Sequence, residues 1–545
     1  MLILNQDTQK LTMDTERTVS DSSNRSSYIL RNGVIVILVI YSIISFFVAR
    51  QFIYRLTPDI TAYLQIAQRY AAGNFVIRGY WAPMISWLLA LPVAFRMDPQ
   101  IGQLFITYLV GLVWIPLFIL WGKRFNLGPI TILALLASVT VLVLEYAFIV
   151  FGPDMLGAVF LLIYLWLITD ERFVTRPVAF GALTGAVGAL AYYAKYYNLP
   201  FVLTHIFLSG VVLAIYSHQI RRVIVACGSA LITLGLLVLP WLLLLFARYG
   251  SPTISTSGSI NHAYVGPNSR GIHPCVETEL CSDPPDVLFP WEDPLPKYYA
   301  QDTWSPFASL ETFRYQASLM VHNFTYWLTV TLPGLGWLIP ITLIAMVVFS
   351  FVAKSRRTRT LLRWGILTVL LYVLGYMTTY GYEFRYYYGI FPLLIIPLYY
   401  FIETLLARVT PHFSSQGVRF SLSALALIAP LISFTNRFAI AYLIAPHQWC
   451  TPQEAHEFEP YLKAPIAGTT TQVNYLAYYT QIRTYGATNS PNAEIVDTTL
   501  RETAVTTLVI PSQEKLKFSL TANFGYEEIT TLPFCGQSYS VLAVP

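Results

Sequence analysis

The sequence is short of charge. Only 12% of its 545 residues are Asp, Glu, Lys or Arg, against about 25% in soluble domains. The deficit lies in long runs without any charged residue, such as Gly33–Ala49 and Val223–Ala247. Runs of that length exclude a soluble fold, because about 20 apolar residues cross a hydrocarbon core about 30 Å thick. No Gly-rich segment precedes a Lys-Ser or Lys-Thr pair, which argues against an ATP-driven pump. Cysteine is scarce, with five residues in all, and none of the spacings resembles a zinc site. The formal charge of +5 gives no reason to expect a nucleic-acid partner. Internal repeats and low-complexity tracts are missing. So is a small-residue cleavage site after the polar stretch 1–32, which reads as a retained cytoplasmic tail rather than a signal peptide. The C-terminal Ala543-Val-Pro545 carries no retention signal, so a bacterial cytoplasmic membrane is expected.

What is present is apolar: 55% of the residues are hydrophobic. Candidate spans fall at 33–51, 101–121, 129–151, 155–169, 177–194, 199–216, 223–247, 318–352, 364–380, 389–407 and 420–444. The stretch 318–352 holds Pro333, Gly334 and Gly336, which suits a surface helix followed by a span. Basic residues cluster in alternate connections: Lys123 with Arg124, Arg172 with Arg176, Arg221 with Arg222, the run Lys354–Arg363, and Arg408 with Arg419. By the positive-inside rule these connections are cytoplasmic, which puts the N-terminus inside and the C-terminus outside. Residues 52–100 then form a first outer loop. Within it Ala82–Phe95 is apolar but short, broken by Pro83 and Pro92 and flanked by Trp81 and Trp87, as for helices lying in the interface. A large outer loop covers 248–317. The tail 446–545 alternates strand-type runs (Pro465–Thr470, Ala504–Ile510, Tyr539–Val544) with a helical Asn474–Tyr485, the pattern of a small α/β domain. The expected molecule is an α-helical polytopic membrane protein of about 11 spans. Residues 33–445 form its membrane domain, and the C-terminal α/β domain lies outside the cytoplasm. Cys227 reads as a small core residue. Cys275 with Cys281, and Cys450 with Cys535, fall outside, where disulfides persist.

In a chain so poor in charge, polar groups at the outer ends of spans are candidates for function. Asp59 opens a helix-like run after the first span, and Asp154 stands between two spans in Gly152-Pro-Asp154. Each suits the positive end of its own helix. As a pair they also suit deprotonation of a hydroxyl, or a divalent cation held by oxygen ligands. Lys195, in Tyr192-Tyr-Ala-Lys-Tyr-Tyr197, either snorkels or neutralises a phosphate. Glu383 and Arg385 form either a local pair or a phosphate fork. Arg437 is the most deeply placed charge and calls for a partner. Glu145, His205, His262 and His273 are weaker candidates, the last two as metal ligands. Acids and bases gathered at one face suit an anionic, lipid-linked substrate and a proton-abstraction step. They also suit a transporter or binding subunit for a lipid-linked glycan, or an envelope subunit that docks through its tail.

Four segments carry a more specific pattern. Pro58-Asp-Ile-Thr-Ala-Tyr-Leu-Gln-Ile-Ala67 is followed by Gly73-Asn-Phe, Gly79-Tyr-Trp-Ala-Pro83 and Trp87-Leu-Leu-Ala-Leu-Pro92. Then come Gly152-Pro-Asp154, Gly185–Lys195 with Leu199-Pro200, and Arg385-Tyr386 with Pro392. Together these resemble the GT-C glycosyltransferases over roughly 33–445. More narrowly they resemble family-39-like members related to protein O-mannosyltransferases and lipid A aminoarabinose transferases. The resemblance implies a hexosyl or pentosyl transferase that takes a sugar from a polyprenyl-phosphate donor to a glycan, lipid or protein acceptor. It implies Asp59 as catalytic base and Asp154 as its support, or both as ligands of a divalent cation. Lys195 and Arg385, with Arg437, would hold the donor phosphate. Tyr63, Tyr80, Trp81, Tyr193 and Glu383 would line the substrate pocket. The chain departs from the family pattern in having Ile60 after the first acid, where relatives carry a second acid. It also departs in having Tyr80-Trp-Ala82 before Pro83, where aminoarabinose transferases carry an acid.

Overall fold

The computed structural model describes residues 4–545 except 151, 218, 270, 272, 275–278, 283–284, 335, 380–382, 413–414 and 444–448. The first apolar run lies on α1 (Leu4–Gln51). Thr57 then starts α2 (Pro58–Ala71) by accepting a hydrogen bond from Ile60 N, and Pro58 suits the first helical position. α3 (Met84–Ala94) is the short apolar helix expected within Ala82–Phe95, with Leu91 and Phe95 turned outward. There follow α4 (Pro99–Arg124), α5 (Pro129–Leu144) with a π-turn at Glu145–Val150, and α6 (Asp154–Ile168). Next come the single turn α7 (Arg172–Thr175), α8 (Pro177–Ala194), α9 (Asn198–Ser217) and α10 (Ile220–Tyr249). The large loop contains α11 (Ser257–Tyr264). The chain returns through α12 (Leu310–Tyr326), α13 (Leu332–Gly334), α14 (Ile339–Val352), α15 (Arg356–Met377), α16 (Pro392–Val409) and α17 (Gln416–Leu443).

This is a multi-pass membrane protein. Among the described residues eight helices are long and apolar enough to cross a membrane. The stretch expected as 318–352 is not one straight helix: Leu310–Gly334 and Ile339–Val352 meet at 109°, broken where Pro333 and Gly334 interrupt the ladder. α6 and the Gly417–Ile432 part of α17 are shorter apolar helices at two further expected spans. Large apolar side chains on α1, α10 and α14, among them Phe46, Phe47, Leu236 and Phe351, face outward, as in contact with lipid. α8 packs closely on α10. A Cβ at Gly181 or Gly185 would collide with the carbonyl oxygens of Ala226 and Ala230, a small-xxx-small approach that fixes where α8 delivers Lys195.

The tail is an α/β domain, as expected, with more elements than the sequence pattern suggests. It contains α18 (Pro452–His456), β1 (Ile466–Gly468), α19 (Gln472–Thr480), β2 (Thr484–Ala487), α20 (Ala493–Glu502), β3 (Thr507–Pro511), α21 (Lys515–Asn523), β4 (Glu527–Phe534) and β5 (Gln537–Ala543). The sheet order is β2-β1-β3-β5-β4. β1 lies parallel to β2 and β3, and β5 pairs antiparallel with β3 and β4. A disulfide joins Cys450 to Cys535. Cys281 is also disulfide-bonded, while Cys275 lies outside the described residues. The tail docks on α2, the start of α4 and the large loop. Gln65 of α2 and Gln481 exchange carboxamide hydrogen bonds at 3.3 Å, and Gln100 donates to Tyr479 Oη at 2.8 Å. Thr484 N of β2 donates to Leu288 O at 2.9 Å, and Cys281 N to Tyr485 O at 2.8 Å.

Candidate active site

Four separate chain segments end at one cavity of about 470 Å³. Asp59 comes from the first turn of α2, Asp154 from the start of α6, Lys195 from the end of α8, and Arg385 from the 3-10 turn Phe384–Gly389 before α16. All four side chains line the cavity, with Glu383 beside them. The cavity lies at the end of the bundle opposite Lys123–Arg124, Arg172 and Arg356, because α6 and α15 each run from one of these groups to the other.

The charges are paired. Arg385 Nη2 lies 2.9 Å from Asp59 Oδ2, and its Nε lies 3.5 Å from Glu383. Lys195 Nζ pairs with Asp154 Oδ1. Burial works against charge on Arg385, yet Asp59 and then Asp154 raise its pKa above the ordinary value. Burial pulls Lys195 below its ordinary value, with Asp154 opposing. Lys195 Nζ also sits 4.4 Å above the Tyr386 ring, a cation–π contact. Gly152, at φ 151°, keeps the space between the two pairs open: a Cβ there would lie 3.0 Å from Asp154 Oδ2 and 3.9 Å from Arg385 Nη1.

The other wall is uncharged and aromatic. Trp81 and Trp291 meet edge to face at 5.6 Å, Tyr80 packs on both, and His273 lies 4.7 Å from Trp291. The Trp291 indole N–H donates to Asp59 Oδ1 at 3.2 Å. Burial lowers the pKa of His273 to about 4, so it is neutral at pH 7. Asn261 and the hydroxyls of Ser255, Ser257 and Ser259 line the rim near α11.

Trp291 is held by a network of six charges, of which Arg78, Glu292 and Asp293 are buried. Arg78 Nη2 is 2.7 Å from Glu292, and Arg69 Nη2 donates to Glu292 at 3.0 Å. Arg78 also reaches Asp286 at 2.8 Å, and Arg248 bridges Asp286 at 3.0 Å and Asp293 at 3.2 Å. Tyr249 donates to Asp293 at 2.6 Å and receives the Gly79 N–H at 2.6 Å. Burial lifts the Asp293 carboxyl to about 6 against the pull of Arg78, while Arg78 and Arg248 hold half-exposed Asp286 down at about 2.

The cavity brings together Asp59, Asp154, Lys195, Arg385, Glu383, Tyr63, Tyr80 and Trp81. Tyr193 does not belong with them. Its hydroxyl donates to Leu237 O at 2.6 Å, and its ring packs on Trp87 and Trp241. The helical phase of α8 turns Tyr193 towards α10, and only past the helix end do Tyr196 and Tyr197 reach the cavity. Arg437 lies on α17, and its side chain falls outside the described residues. Glu145 is buried in the π-turn after α5. His205 is held inside the bundle by Tyr164 Oη at 2.9 Å and Thr368 Oγ at 3.1 Å. His262 bonds Gln316 and stacks on Trp304. Among the described residues no three His, Cys, Asp or Glu side chains converge as metal ligands. Asp59, Asp154 and Glu383 each already face a cation, so this donor set does not fit a divalent ion. Sequence reasoning missed Trp291, Tyr196, Tyr197, Tyr376, Tyr386 and the Arg78 network. The adjacent acids in Trp291-Glu-Asp-Pro294 were the available signal, since buried or paired roles are the rule for acids in so charge-poor a chain.

The backbone is similar to that of ArnT from Cupriavidus metallidurans, a lipid A aminoarabinose transferase. Against the crystal structure bound to undecaprenyl phosphate the TM-score is 0.54 at 13% identity, covering 93% of this chain and 98% of that one. Against the apo crystal structure it is again 0.54 at 13%, covering 94% and 98%. The chain has the GT-C fold. No family model matches the sequence, and no curated protein matches it. The similarity is not confined to the membrane helices and reaches into the tail, given the share of both chains that is covered.

Proposed function

We propose that this GT-C-fold protein is a glycosyltransferase that moves a sugar from a polyprenyl-phosphate donor to an acceptor hydroxyl at the outer face of a cell membrane. The observation that carries this reading is the convergence of two carboxylates and two cations on one cavity beside an aromatic wall. The solved ArnT complex holds undecaprenyl phosphate, a ligand of the donor's class. In the reaction the acceptor oxygen forms a bond to the anomeric carbon as the bond from that carbon to the phosphate oxygen breaks. The phosphate leaves with the electron pair, and the acceptor proton passes to Asp59.

The ion pairs give this sequence an order. With Arg385 on Asp59, both carboxylate oxygens are engaged, one by the guanidinium and the other by the Trp291 N–H, so neither is open to an acceptor hydroxyl. A donor phosphate between Arg385 and Lys195 competes for both cations. Their transfer to the phosphate frees Asp59 to accept a proton and stabilises charge on the leaving group. Trp291 keeps one Asp59 oxygen oriented meanwhile.

The test is transfer from a panel of radiolabelled polyprenyl-phosphate sugars, comparing purified wild type with Asp59→Asn. The variant should insert and bind donor normally and lose turnover by about 10²–10⁴-fold. Equal transfer by both would remove Asp59 from the mechanism and move the role to Asp154. Tight donor binding without transfer by wild type would make the chain a binding or transport protein.

A further inference from the structure

A second polar cavity, of about 570 Å³, lies at the other end of the bundle. It is lined by Arg124 at the end of α4, by Thr169, Asp170, Glu171 and Arg172 around the turn after α6, and by Arg356, Arg357, Thr360 and Leu361 at the start of α15. α6 has 15 residues, so this cavity stands about 22 Å from the first along that helix. Four arginines face two carboxylates here.

The arginines are not equivalent. Arg124 is 6% exposed; it reaches Asp170 at 3.0 Å and donates to Trp166 O at 2.8 Å. Arg172 shares Asp170 at 2.9 Å. In the basic run that follows, Arg359 donates to Ala353 O at 2.6 Å and Arg363 to Ser350 O at 3.0 Å. Those two guanidiniums close the end of α14. Arg356 and Arg357 instead line the cavity, with no ion pair or side-chain hydrogen bond among the described residues. Arg357 and Arg172 both repel Arg124. Placing basic residues on one side of a membrane requires only that they face water. It does not require a buried arginine and two unpaired ones, from separate elements, around one hollow. By contrast, Arg221 and Arg222 sit on a single turn beside Gln219 and Ile220.

We propose that this cavity binds a phosphate group, carried by an anionic phospholipid of the leaflet at the arginine-rich face. Arg356 and Arg357 would contact the phosphate oxygens, and Arg124, fixed by Asp170, would set the floor of the site. A phosphate supplies the negative charge that the four arginines lack, and basic hollows between spans suit lipid headgroups. The proposal does not depend on the reaction at the other face.

The test uses the full-length protein in nanodiscs of phosphatidylcholine, with or without phosphatidylglycerol. Anionic lipid should raise the melting temperature of wild type by about 3 °C. Native mass spectrometry should show a retained phosphatidylglycerol. The double variant Arg356→Gln with Arg357→Gln, at exposed positions, should lose most of the shift and the retained lipid. Arg221→Gln with Arg222→Gln, which removes equal charge from another connection, should keep both. Equal loss in the two double variants would reduce the effect to surface charge and overturn the site. So would the absence of any response to lipid and to inorganic phosphate. A shift with inorganic phosphate alone, abolished only by the Arg356 and Arg357 changes, would keep the phosphate site and overturn the lipid as its source.

Discussion

Asp59 and Asp154 each stand in the first turn of a helix, where a carboxylate can serve its own backbone. In α2 that work is done by Thr57, whose hydroxyl oxygen receives the Ile60 N–H. In α6 the first turn has no side-chain cap. Both carboxylates reach across the fold to a cation instead, a distinction that sequence cannot draw because local and long-range partners call for the same residue type. The Trp291 hydrogen bond gives a test at this scale. Trp291→Phe keeps an aromatic ring against Trp81 and Tyr80 and removes the N–H that Asp59 accepts. A hydrogen bond to a charged group contributes about 1.5–3 kcal/mol. Turnover should fall roughly 10- to 100-fold, with donor affinity nearly unchanged, as read from steady-state kinetics and donor binding. A change confined to donor affinity would place Trp291 on the donor rather than on Asp59.

At the scale of elements, the segment Asp286–Asp293 acts as a bracket between α2, α10 and the cavity. Its charges pair with Arg69, Arg78 and Arg248 from outside it. Asp293 gives it a pH signature. Its folded-state value of about 6 lies above the ordinary 3.8. The stability it contributes is therefore full below about pH 4 and is lost as pH rises through about 6. Asp286 is shifted the other way, to about 2, so its contribution is present above about 3.8 and disappears only in strong acid. Asp293→Asn should remove the decline of melting temperature between about pH 4 and pH 7 that wild type shows from this group. Melts at intervals across that range would check it, and an unchanged slope would show that Asp293 is not the titrating group.

The helices were largely legible because apolar runs, prolines at helix starts and terminal basic residues mark them redundantly. The large loop was not. Its contacts join residues more than 200 positions apart, as Arg78 to Glu292 does, and follow no period. In the tail, the expected helix Asn474–Tyr485 overruns the first two residues of β2, Thr484 and Tyr485. Helix α19 stops at Thr480 because Gln481 turns to φ 54°, a conformation no local pattern announces. Strand β4 was missed because most of its residues are exposed, so burial writes little alternation into it.

The whole molecule separates its charges into two populations, one at each end, with apolar helices between. The cavity charges come in opposed pairs, while the other end keeps arginines in excess. The tail adds a covalent constraint. The Cys450–Cys535 bond closes a loop of 85 residues, for which chain entropy alone corresponds to about 4.5 kcal/mol. Replacing both cysteines by serine should lower the temperature at which the tail becomes open to protease, while the membrane helices stay protected. Simultaneous loss of both parts would show that they unfold as one unit.

Strand β2 lies at the edge of the tail sheet, and its outer side is taken by backbone of the large loop through Thr484, Leu288, Cys281 and Tyr485. The same loop carries Trp291 to Asp59. Tail and loop are thus one cassette for anyone building chimaeras between proteins of this fold. A transplanted tail that left its own loop behind would expose unpaired strand edge and present a foreign wall to Asp59. A graft carrying both segments would keep the strand edge paired and bring the aromatic wall beside Asp59 as a single inheritable part.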